Sequence, residues 1–159
     1  MCSGGMGDEE ELKKAERIAL RMLTYRDRSK QEIRDKLNQK GISASVTEKA
    51  VTQLADHGYL DDQTFAERLA RSLFETKNCG FARIEATLRA RGLSPELVRK
   101  TILQLKGDYS EEETALQIMK RRFSHFDFQE ASSKEKHRLI QFFRRRGFSW
   151  ETISRMLMI

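Results

Sequence analysis

The chain has 159 residues, of which 38% are hydrophobic and 34% are charged, with one proline and nine glycines. So low an apolar fraction favours small helical modules over one large globule, and the scarcity of proline argues against a turn-rich β-fold. The formal net charge is +6 and the pI is about 9.5. A chain this basic is typical of proteins that bind nucleic acid or an acidic surface.

The cysteines and the N-terminal segment argue against several protein classes. Cys2 and Cys79 have no metal-binding or redox spacing, so we expect free thiols in a reducing compartment. Residues 1–7 lack the basic and apolar regions of a signal peptide, and we expect a flexible tail there. No apolar run approaches the ~18 residues that a membrane span requires. The sequence therefore predicts a soluble, cytoplasmic monomer with no membrane partner.

One sequence pattern occurs three times, as IRDKLNQKGIS at Ile33–Ser43, IEATLRARGLS at Ile84–Ser94 and LIQFFRRRGFS at Leu139–Ser149. Each copy has apolar residues four positions apart, followed by a basic residue, a glycine, an apolar residue and a serine. This order predicts a helix, a left-handed glycine that ends it, and a serine N-cap that opens the next helix. We expect the apolar residue after each glycine to pack back on the helix just ended.

The spacing of equivalent residues predicts three units of three helices. Gly92 follows Gly41 by 51 positions, and Leu73 follows Met22 by the same interval. The third unit is longer, because a phenylalanine-rich insertion within Arg121–Ser133 separates its first two helices. The sequence thus predicts an all-α fold of three tandem three-helix-bundle repeats in an elongated, curved arrangement.

The predicted boundaries follow from this pattern. After the tail come a first repeat at 8–60, a second at 61–107 and a third at 108–159. Within these repeats, a serine followed three residues later by glutamate predicts a cap at the start of a helix. Such pairs are Ser29 and Glu32, Ser45 and Glu48, Ser110 and Glu113, and Ser132 and Glu135.

The sequence gives little evidence for a catalytic or metal site. His57, His125 and His137 are scattered, and none has a carboxylate or cysteine at a ligand-like spacing. The adjacent Asp61 and Asp62 are better explained by N-capping of a helix than by a carboxylate pair. There is no phosphate-binding glycine loop. We therefore predict no enzymatic activity, no cofactor and no metal ion.

Basic residues cluster at related places in the three units and are the candidates for partner binding. They are Arg26, Arg28, Lys30, Lys77, Arg83, Arg89, Arg91, Arg144, Arg145 and Arg146. One interpretation is that they are solvated and stabilise helix C-termini. The other is that they form a stripe of cations facing phosphates or an acidic protein surface.

A helix, a glycine turn and a second helix also describe the helix-turn-helix of DNA-binding proteins. Here the second helices begin with Glu48, Glu96 and Glu151, whose charges would oppose the phosphates of DNA. Sequence-specific DNA reading is therefore disfavoured. Weak, nonspecific binding of single- or double-stranded DNA stays open, as does a role as a helical adaptor for an unrelated protein.

Four stretches, ALRMLTYRDRSKQEIRDKL, GYLDDQTFAERLARS, IEATLRARGLS and RRRGFSWETI, resemble in order and spacing the RecX regulatory proteins of bacteria. The resemblance spans about Ala15 to Leu157 and implies three tandem three-helix repeats. It also implies that the chain binds the RecA recombinase in the groove of its filament on single-stranded DNA. Such proteins inhibit or tune the ATPase, strand-exchange and co-protease activities of RecA. The resemblance supplies no catalytic residues, and no motif assigns the residues that contact RecA.

Overall fold

The computed structural model describes residues 5–159, and all regular secondary structure in this range is α-helical. The helices of this range are α1 (Gly5–Tyr25), α2 (Lys30–Gln39), α3 (Ala44–Asp56), α4 (Asp62–Glu75), α5 (Phe81–Ala90), α6 (Pro95–Asp108), α7 (Glu111–Arg122), α8 (Ser133–Arg145) and α9 (Trp150–Leu157). The prediction of an all-α fold with nine helices is confirmed for the described residues. The division into domains at 60/61 and 107/108 stays a prediction.

Helix α1 begins at Gly5 and so includes the last three residues, 5–7, of the predicted flexible tail. Asp8 lies in its first turn, where a negative charge stabilises the positive end of the helix dipole. This stabilisation offsets part of the cost of placing glycine in a helix. The remaining residues of the predicted tail, 1–4, lie outside the described part of the chain.

The three repeated turns have the predicted conformation. Gly41, Gly92 and Gly147 have φ angles of +84°, +79° and +89°, which glycine adopts without the strain that a Cβ atom causes. The apolar residue that follows each glycine is buried, as predicted. These residues are Ile42, Leu93 and Phe148.

Serine caps open most of the predicted helices. Ser29 and Ser132 form complete capping boxes with the glutamate three residues later. The serine hydroxyls accept from the glutamate N–H groups at 3.1 and 3.3 Å, and the carboxylates accept from the serine N–H groups at 3.0 and 2.8 Å. Ser110 caps α7 by accepting from the N–H of Glu113 at 3.2 Å. These three predictions are confirmed.

The capping box predicted at Ser45 and Glu48 is wrong. Ser43 is the N-cap residue of α3, two positions earlier than the predicted serine. Glu48 instead accepts a hydrogen bond from Arg34 Nε at 2.8 Å, and Ser43 donates its N–H to Glu11 at 2.8 Å. Contacts with other helices therefore determine where these polar groups bond, and local spacing alone does not reveal them.

One compact unit comprises the described residues up to Ala66 together with Arg91–Leu93. Its core lies among α1, α2 and α3, with α3 packed against both of the other helices. The buried core residues are Ala15, Ala19, Ile33, Leu37, Ile42, Val46, Ala50, Val51, Leu54 and Leu60. Small alanine side chains on α1 and α3 allow these two helices to approach closely.

The other compact unit comprises Glu67–Ala90 and Ser94–Ile159. Helix α5 packs against α6, and α9 packs against α7 and α8. The buried residues of α5 and α6 are Ile84, Leu88, Val98, Thr101, Ile102 and Leu105. The core among α7, α8 and α9 consists of Ala115, Ile118, Leu139, Phe143, Phe148, Ile153 and Leu157.

The phenylalanine-rich insertion extends the core among α7, α8 and α9. It forms the connection between α7 and α8, residues 123–132, which contains no regular helix. The partly buried residues that it adds to the core are Phe123, Phe126 and Phe128. The ring centroid of Phe123 lies 5.1 Å from that of Phe142 and 6.3 Å from that of Phe143. The insertion therefore supplies aromatic packing to α8, where several candidate arginines lie.

We expect Leu88→Ala to lower the free energy of unfolding by about 2–5 kcal/mol, because Leu88 is fully buried and the substitution leaves a cavity. Urea denaturation followed by circular dichroism measures this change. The matched control is Leu103→Ala on the adjacent helix α6, where the leucine is 63% exposed. Its expected effect is within about 0.5 kcal/mol. Equal losses at the two positions would contradict the assignment of Leu88 to the core.

Candidate partner-binding site

In the first unit, the beginning of helix α2 lies against the turn Arg91–Leu93. The hydroxyl of Ser29 donates a hydrogen bond to the carbonyl of Arg91. The N–H of Lys30 donates to Asp62 Oδ1 at 2.9 Å. Asp62 is the first residue of α4, so its carboxylate lies at the N-termini of two helices, where negative charge is favourable. We refer to this set of contacts as the first junction.

Glu32 connects the charged groups of the first junction. Its Oε1 accepts from Arg26 Nη2 and from Arg91 Nη1, at 3.0 Å in each case. Its Oε2 accepts from the N–H of Ser29 at 3.0 Å. Burial raises the pKa of Glu32, but the hydrogen bonds from Arg26 and Ser29 and the charges of Arg26 and Arg91 lower it below its ordinary value.

Arg28 adds a third guanidinium group to the same cluster. Its Nε is buried and has no hydrogen-bond partner among the described residues. Burial lowers the pKa of Arg28, and repulsion by Arg26 and Arg91 lowers it further, while Glu32 opposes the change. The cluster therefore contains more positive charge than Glu32 neutralises.

The second unit contains a similar set of contacts, in which Gly80 and Phe81 lie 51 positions after Ser29 and Lys30. The N–H of Gly80 donates to the carbonyl of Arg146 at 2.6 Å. The N–H of Phe81, the first residue of α5, donates to Glu111 Oε1 at 2.7 Å. We refer to these contacts as the second junction. As in the first junction, a helix N-terminus meets a glycine turn and an acidic residue from the start of another helix.

Glu111 connects three helices within the second unit. Besides the N–H of Phe81, its carboxylate accepts from the hydroxyl of Thr152 at 2.8 Å and from the N–H of Ser149 at 3.4 Å. Glu111 begins α7, while Phe81 and Ser149 lie at the beginnings of α5 and α9. Because the residue is only 8% exposed, these donors replace the water that the carboxylate loses on folding.

Backbone atoms at the second junction approach more closely than any side chain would allow. A Cβ atom added at Gly80 would lie 2.3 Å from the carbonyl carbon of Gly147. A Cβ atom added at Gly147 would lie 2.4 Å from the backbone nitrogen of Arg83. Both positions therefore require glycine, and Gly147 requires it also because its φ angle is +89°.

An open pocket of about 640 Å³ lies beside the second junction. We call it the α5–α8 pocket; its lining residues are Leu73, Lys77, Cys79, Arg83, Thr87, Phe142, Arg145 and Arg146. Of the described residues that line it, four are basic and none is acidic. The apolar side chains of Leu73 and Phe142 are half-buried. The pocket therefore combines an apolar wall with uncompensated positive charge.

Aromatic and backbone contacts hold the arginine side chains of the α5–α8 pocket. The guanidinium of Arg146 lies 4.7 Å from the ring centroid of Phe142, and that of Arg122 lies 5.0 Å from it. Arg146 Nη1 also donates to the carbonyl of Lys77 at 2.9 Å, and Arg83 Nη1 donates to that of Arg145 at 3.3 Å.

Two neighbouring pockets also border Phe142. Their basic lining residues are Arg121, Arg122, Arg138, Arg145 and Arg146.

Comparison with known proteins identifies the family. Models of the first, second and third three-helix domains of RecX match residues 15–54, 61–102 and 110–157. The chain belongs to the RecX family. The regulatory protein RecX of Trichlorobacter lovleyi is 36% identical over 138 residues, which cover 87% of this chain and 90% of that protein. The RecX of Syntrophotalea carbinolica is 32% identical over 131 residues, covering 82% of this chain and 86% of that protein.

The fold is also that of solved RecX structures. The crystal structure of RecX from Lactobacillus salivarius has a TM-score of 0.77 at 20% sequence identity, covering 94% of this chain and 96% of that one. Together with the three family models, this likeness confirms the predicted three tandem three-helix repeats. The resemblance to RecX proposed from the sequence is confirmed as well.

The structure brings most of the predicted partner-binding residues of this RecX-family chain into two clusters. Arg26, Arg28 and Arg91 surround Glu32. Lys77, Arg83, Arg145 and Arg146 line the α5–α8 pocket. That any of these residues binds a partner stays a prediction.

Three predicted residues lie outside these arrangements. Lys30 contributes its backbone N–H to the first junction through Asp62. Arg89 is paired with Glu85 at 2.7 Å on the exposed surface of α5. Arg144 is exposed and does not line the α5–α8 pocket.

Sequence reasoning missed several residues that define these sites. Phe142 was not singled out, because the repeated apolar pattern includes Phe143 beside it, and Glu32 was counted only as a capping residue. Arg122 lies in the segment of the insertion, where alignment with the other repeats fails, and Arg138 directly precedes the third copy of the repeated pattern. A signal for Arg122 existed, because a basic residue in the last turn of a helix is a candidate for surface contacts.

Within residues 5–159, no helix has the length and apolar composition needed to cross a membrane. In the same part of the chain, no three histidine, cysteine, aspartate or glutamate side chains are grouped so that they could hold a metal ion.

Substitution of two left-handed glycines tests the tight packing at the second junction. Gly41→Ala introduces backbone strain alone, because no atom lies within 4 Å of the added Cβ, and we expect a loss of about 1–2 kcal/mol. Gly147→Ala adds a clash with the backbone of Arg83, so its loss should exceed that of Gly41→Ala by about 1–3 kcal/mol. Urea denaturation measures both. Equal losses would show that the junction tolerates a side chain.

The lowered pKa of Glu32 predicts a pH-dependent contribution to stability. Because its pKa is lower in the folded chain than in the unfolded chain, ionised Glu32 stabilises the fold above its ordinary pKa of about 4.3. This contribution is lost as the pH falls through the folded-state pKa. We expect Glu32→Gln to cost about 1–3 kcal/mol at pH 7 and progressively less as the pH falls below 4. Urea denaturation at a series of pH values measures the change.

Glu85→Gln is the control for Glu32→Gln, because Glu85 pairs with Arg89 on the exposed surface of α5. Exposed ion pairs contribute little, so the expected cost is within about 0.5 kcal/mol at pH 7. A cost at Glu32 that stays the same between pH 7 and pH 3 would rule out the charge interaction as its cause.

Proposed function

We propose that this RecX-family chain binds the RecA recombinase filament on single-stranded DNA and mainly inhibits its ATPase, strand-exchange and co-protease activities. The observation that supports this most strongly is membership of a family of regulatory proteins. In our proposal the chain is not an enzyme, acts as a monomer in the cytoplasm, and regulates DNA repair and recombination through binding alone.

The charged surface of the second unit supports a binding role. Its basic side chains are grouped around Phe142, and two of the guanidinium groups are held over that ring. Cations fixed in place lose little conformational freedom when they meet an anionic surface, and their summed charge accelerates association. A recombinase filament presents both protein carboxylates and DNA phosphates, so either could be the anion.

Inhibition follows if binding favours one filament state over another. A modulator that binds the inactive arrangement of neighbouring subunits more tightly shifts the population toward it without touching the nucleotide site. A tenfold difference in affinity between the two arrangements corresponds to about 1.4 kcal/mol. Occupation of the filament groove could in addition obstruct entry of a second DNA molecule.

A nonspecific nucleic-acid-binding module is the second candidate, favoured by the pI of about 9.5 and by the basic pockets around Phe142. The sequence argued against DNA reading because Glu48 and Glu151, at the starts of α3 and α9, would oppose phosphates. These two glutamates are paired with Arg34 and Arg155, which offsets their negative charge in part. Binding through phosphates alone should weaken steeply with salt, with a logarithmic slope of about −0.7 for each phosphate contact on single strands.

Charge reversal of Arg144 and Arg145 tests the proposed function. We expect Arg144→Glu combined with Arg145→Glu to raise the concentration needed for half-maximal inhibition of the RecA ATPase by about tenfold or more, because adjacent cations are replaced by anions. Arg146 is left intact, since its guanidinium also bonds to the backbone of Lys77. The ATPase is measured on preformed filaments over a range of modulator concentrations.

The matched control is Arg99→Glu combined with Lys100→Glu, an adjacent exposed basic pair on α6 of the same unit. It changes the net charge equally and should alter inhibition by less than about twofold. Equal loss in the two double variants would show that only total charge matters. No inhibition by the unmodified chain would refute the proposed function.

A further inference from the structure

The two junctions present equivalent positions with different charges. Residues in the second repeat lie 51 positions after those in the first, and in each junction an arginine directly precedes the left-handed glycine. Arg26 and Lys77, like Glu32 and Arg83, are equivalent at this spacing of 51 positions. Arg91 and Arg146, which are 55 positions apart, are equivalent because each directly precedes the left-handed glycine of its junction. The basic residues are thus retained at two of the three positions, whereas the central carboxylate of the first junction is replaced by a cation.

The first junction shows what the equivalent basic residues bind when a carboxylate is present. Glu32 accepts hydrogen bonds from both Arg26 and Arg91 at 3.0 Å, so a single carboxylate bridges the two guanidinium groups. In the second junction, Lys77 and Arg146 line a pocket to which Arg83 contributes another positive charge. Since none of its described lining residues is acidic, the chain itself supplies no bridging carboxylate there.

We propose that the α5–α8 pocket receives an aspartate or glutamate side chain from an acidic segment of a partner protein. The incoming carboxylate bridges Lys77 and Arg146, as Glu32 bridges their equivalents, and Arg83 adds a third cation. This inference rests on the proposed function, for which it identifies a contact site on the chain and the chemistry of the RecA surface that meets it.

The lining of the pocket favours a polypeptide over a nucleic acid. Single-stranded nucleic acids are usually held by bases stacked on open aromatic faces. Here the guanidinium groups of Arg122 and Arg146 already lie over the ring of Phe142, so stacking would have to displace them. The half-buried Leu73 and the methyl group of Thr87 provide contacts for an apolar side chain next to the acidic one. An acidic segment with an adjacent apolar residue therefore matches both parts of the pocket.

Arg83→Glu tests this inference by giving the second junction the carboxylate that the first already has. The new side chain should pair with Lys77 and Arg146 and occupy the place of the partner's carboxylate. We expect its affinity for RecA filaments on an oligothymidylate to fall by about tenfold or more. Arg99→Glu, with the same change in net charge on exposed α6, should change the affinity by less than about twofold. Fluorescence anisotropy of a labelled chain measures the affinity for filaments and for the free oligothymidylate.

Folding is checked separately. Circular dichroism and thermal melting should show that Arg83→Glu is as helical as the unmodified chain and at least as stable, because the new carboxylate replaces a repelling cation. If it melts early, Lys77→Glu provides the same measurement, because the exposed Lys77 side chain lies at the pocket while only its carbonyl bonds to Arg146. The binding loss expected of Lys77→Glu is again about tenfold or more.

The outcomes separate this inference from the proposed function. If the unmodified chain and Arg83→Glu bind filaments equally, the pocket assignment is wrong while the proposed function stands. If Arg99→Glu loses as much affinity as Arg83→Glu, the effect is one of total charge and the inference fails. If binding to the free oligothymidylate falls in the same proportion, the pocket binds nucleic acid instead. If the unmodified chain does not bind filaments, both proposals fail.

Discussion

Direct packing of backbone on backbone at Gly80 and Gly147 determines the arrangement of the second unit. With no Cβ on either residue, the start of α5 lies against the turn between α8 and α9, and Gly80 donates its N–H to the carbonyl of Arg146. Glu111 satisfies donors at the starts of α5 and α9 from the first residue of α7. The same contact brings the side chains of Arg83 and Arg146 to one pocket. The charged surface is thus a consequence of a packing constraint.

The two junctions have similar backbone contacts but different charges, and this difference affects stability. Where Glu32 is present, it forms ion pairs with both Arg26 and Arg91, and these pairs stabilise the first unit. Where Arg83 takes the equivalent place, positive charges repel one another and the fold gains nothing from their proximity. This repulsion lowers the stability of the fold. Binding of an external anion would relieve the repulsion and so stabilise the folded chain. A repeat architecture allows this difference because each junction can vary while the backbone geometry is kept.

The helices, the turns and most caps could be predicted from the sequence, because each depends on residues within four or five positions of one another. Gly41, Gly92 and Gly147 could be assigned a left-handed conformation because a helix end, a glycine and a buried apolar residue recur together. The pairing of Glu32 with Arg91 could not be predicted, since 59 positions separate these residues. For the same reason, local spacing misplaced the cap of α3, where Arg34 binds Glu48.

The candidate arginines were found by clustering along the chain, but their roles depend on what lies beneath them. Arg146 is held by the ring of Phe142 and the carbonyl of Lys77, which restricts the directions in which its remaining N–H groups point. Arg144 precedes it by two positions, yet does not line the pocket. Because restraint lowers the entropy lost on binding, Arg146 should contribute more to the proposed interaction than a cation without such contacts. In the proposed interaction, selectivity for a carboxylate-bearing surface would therefore depend first on which cations are fixed, and only secondarily on how many there are.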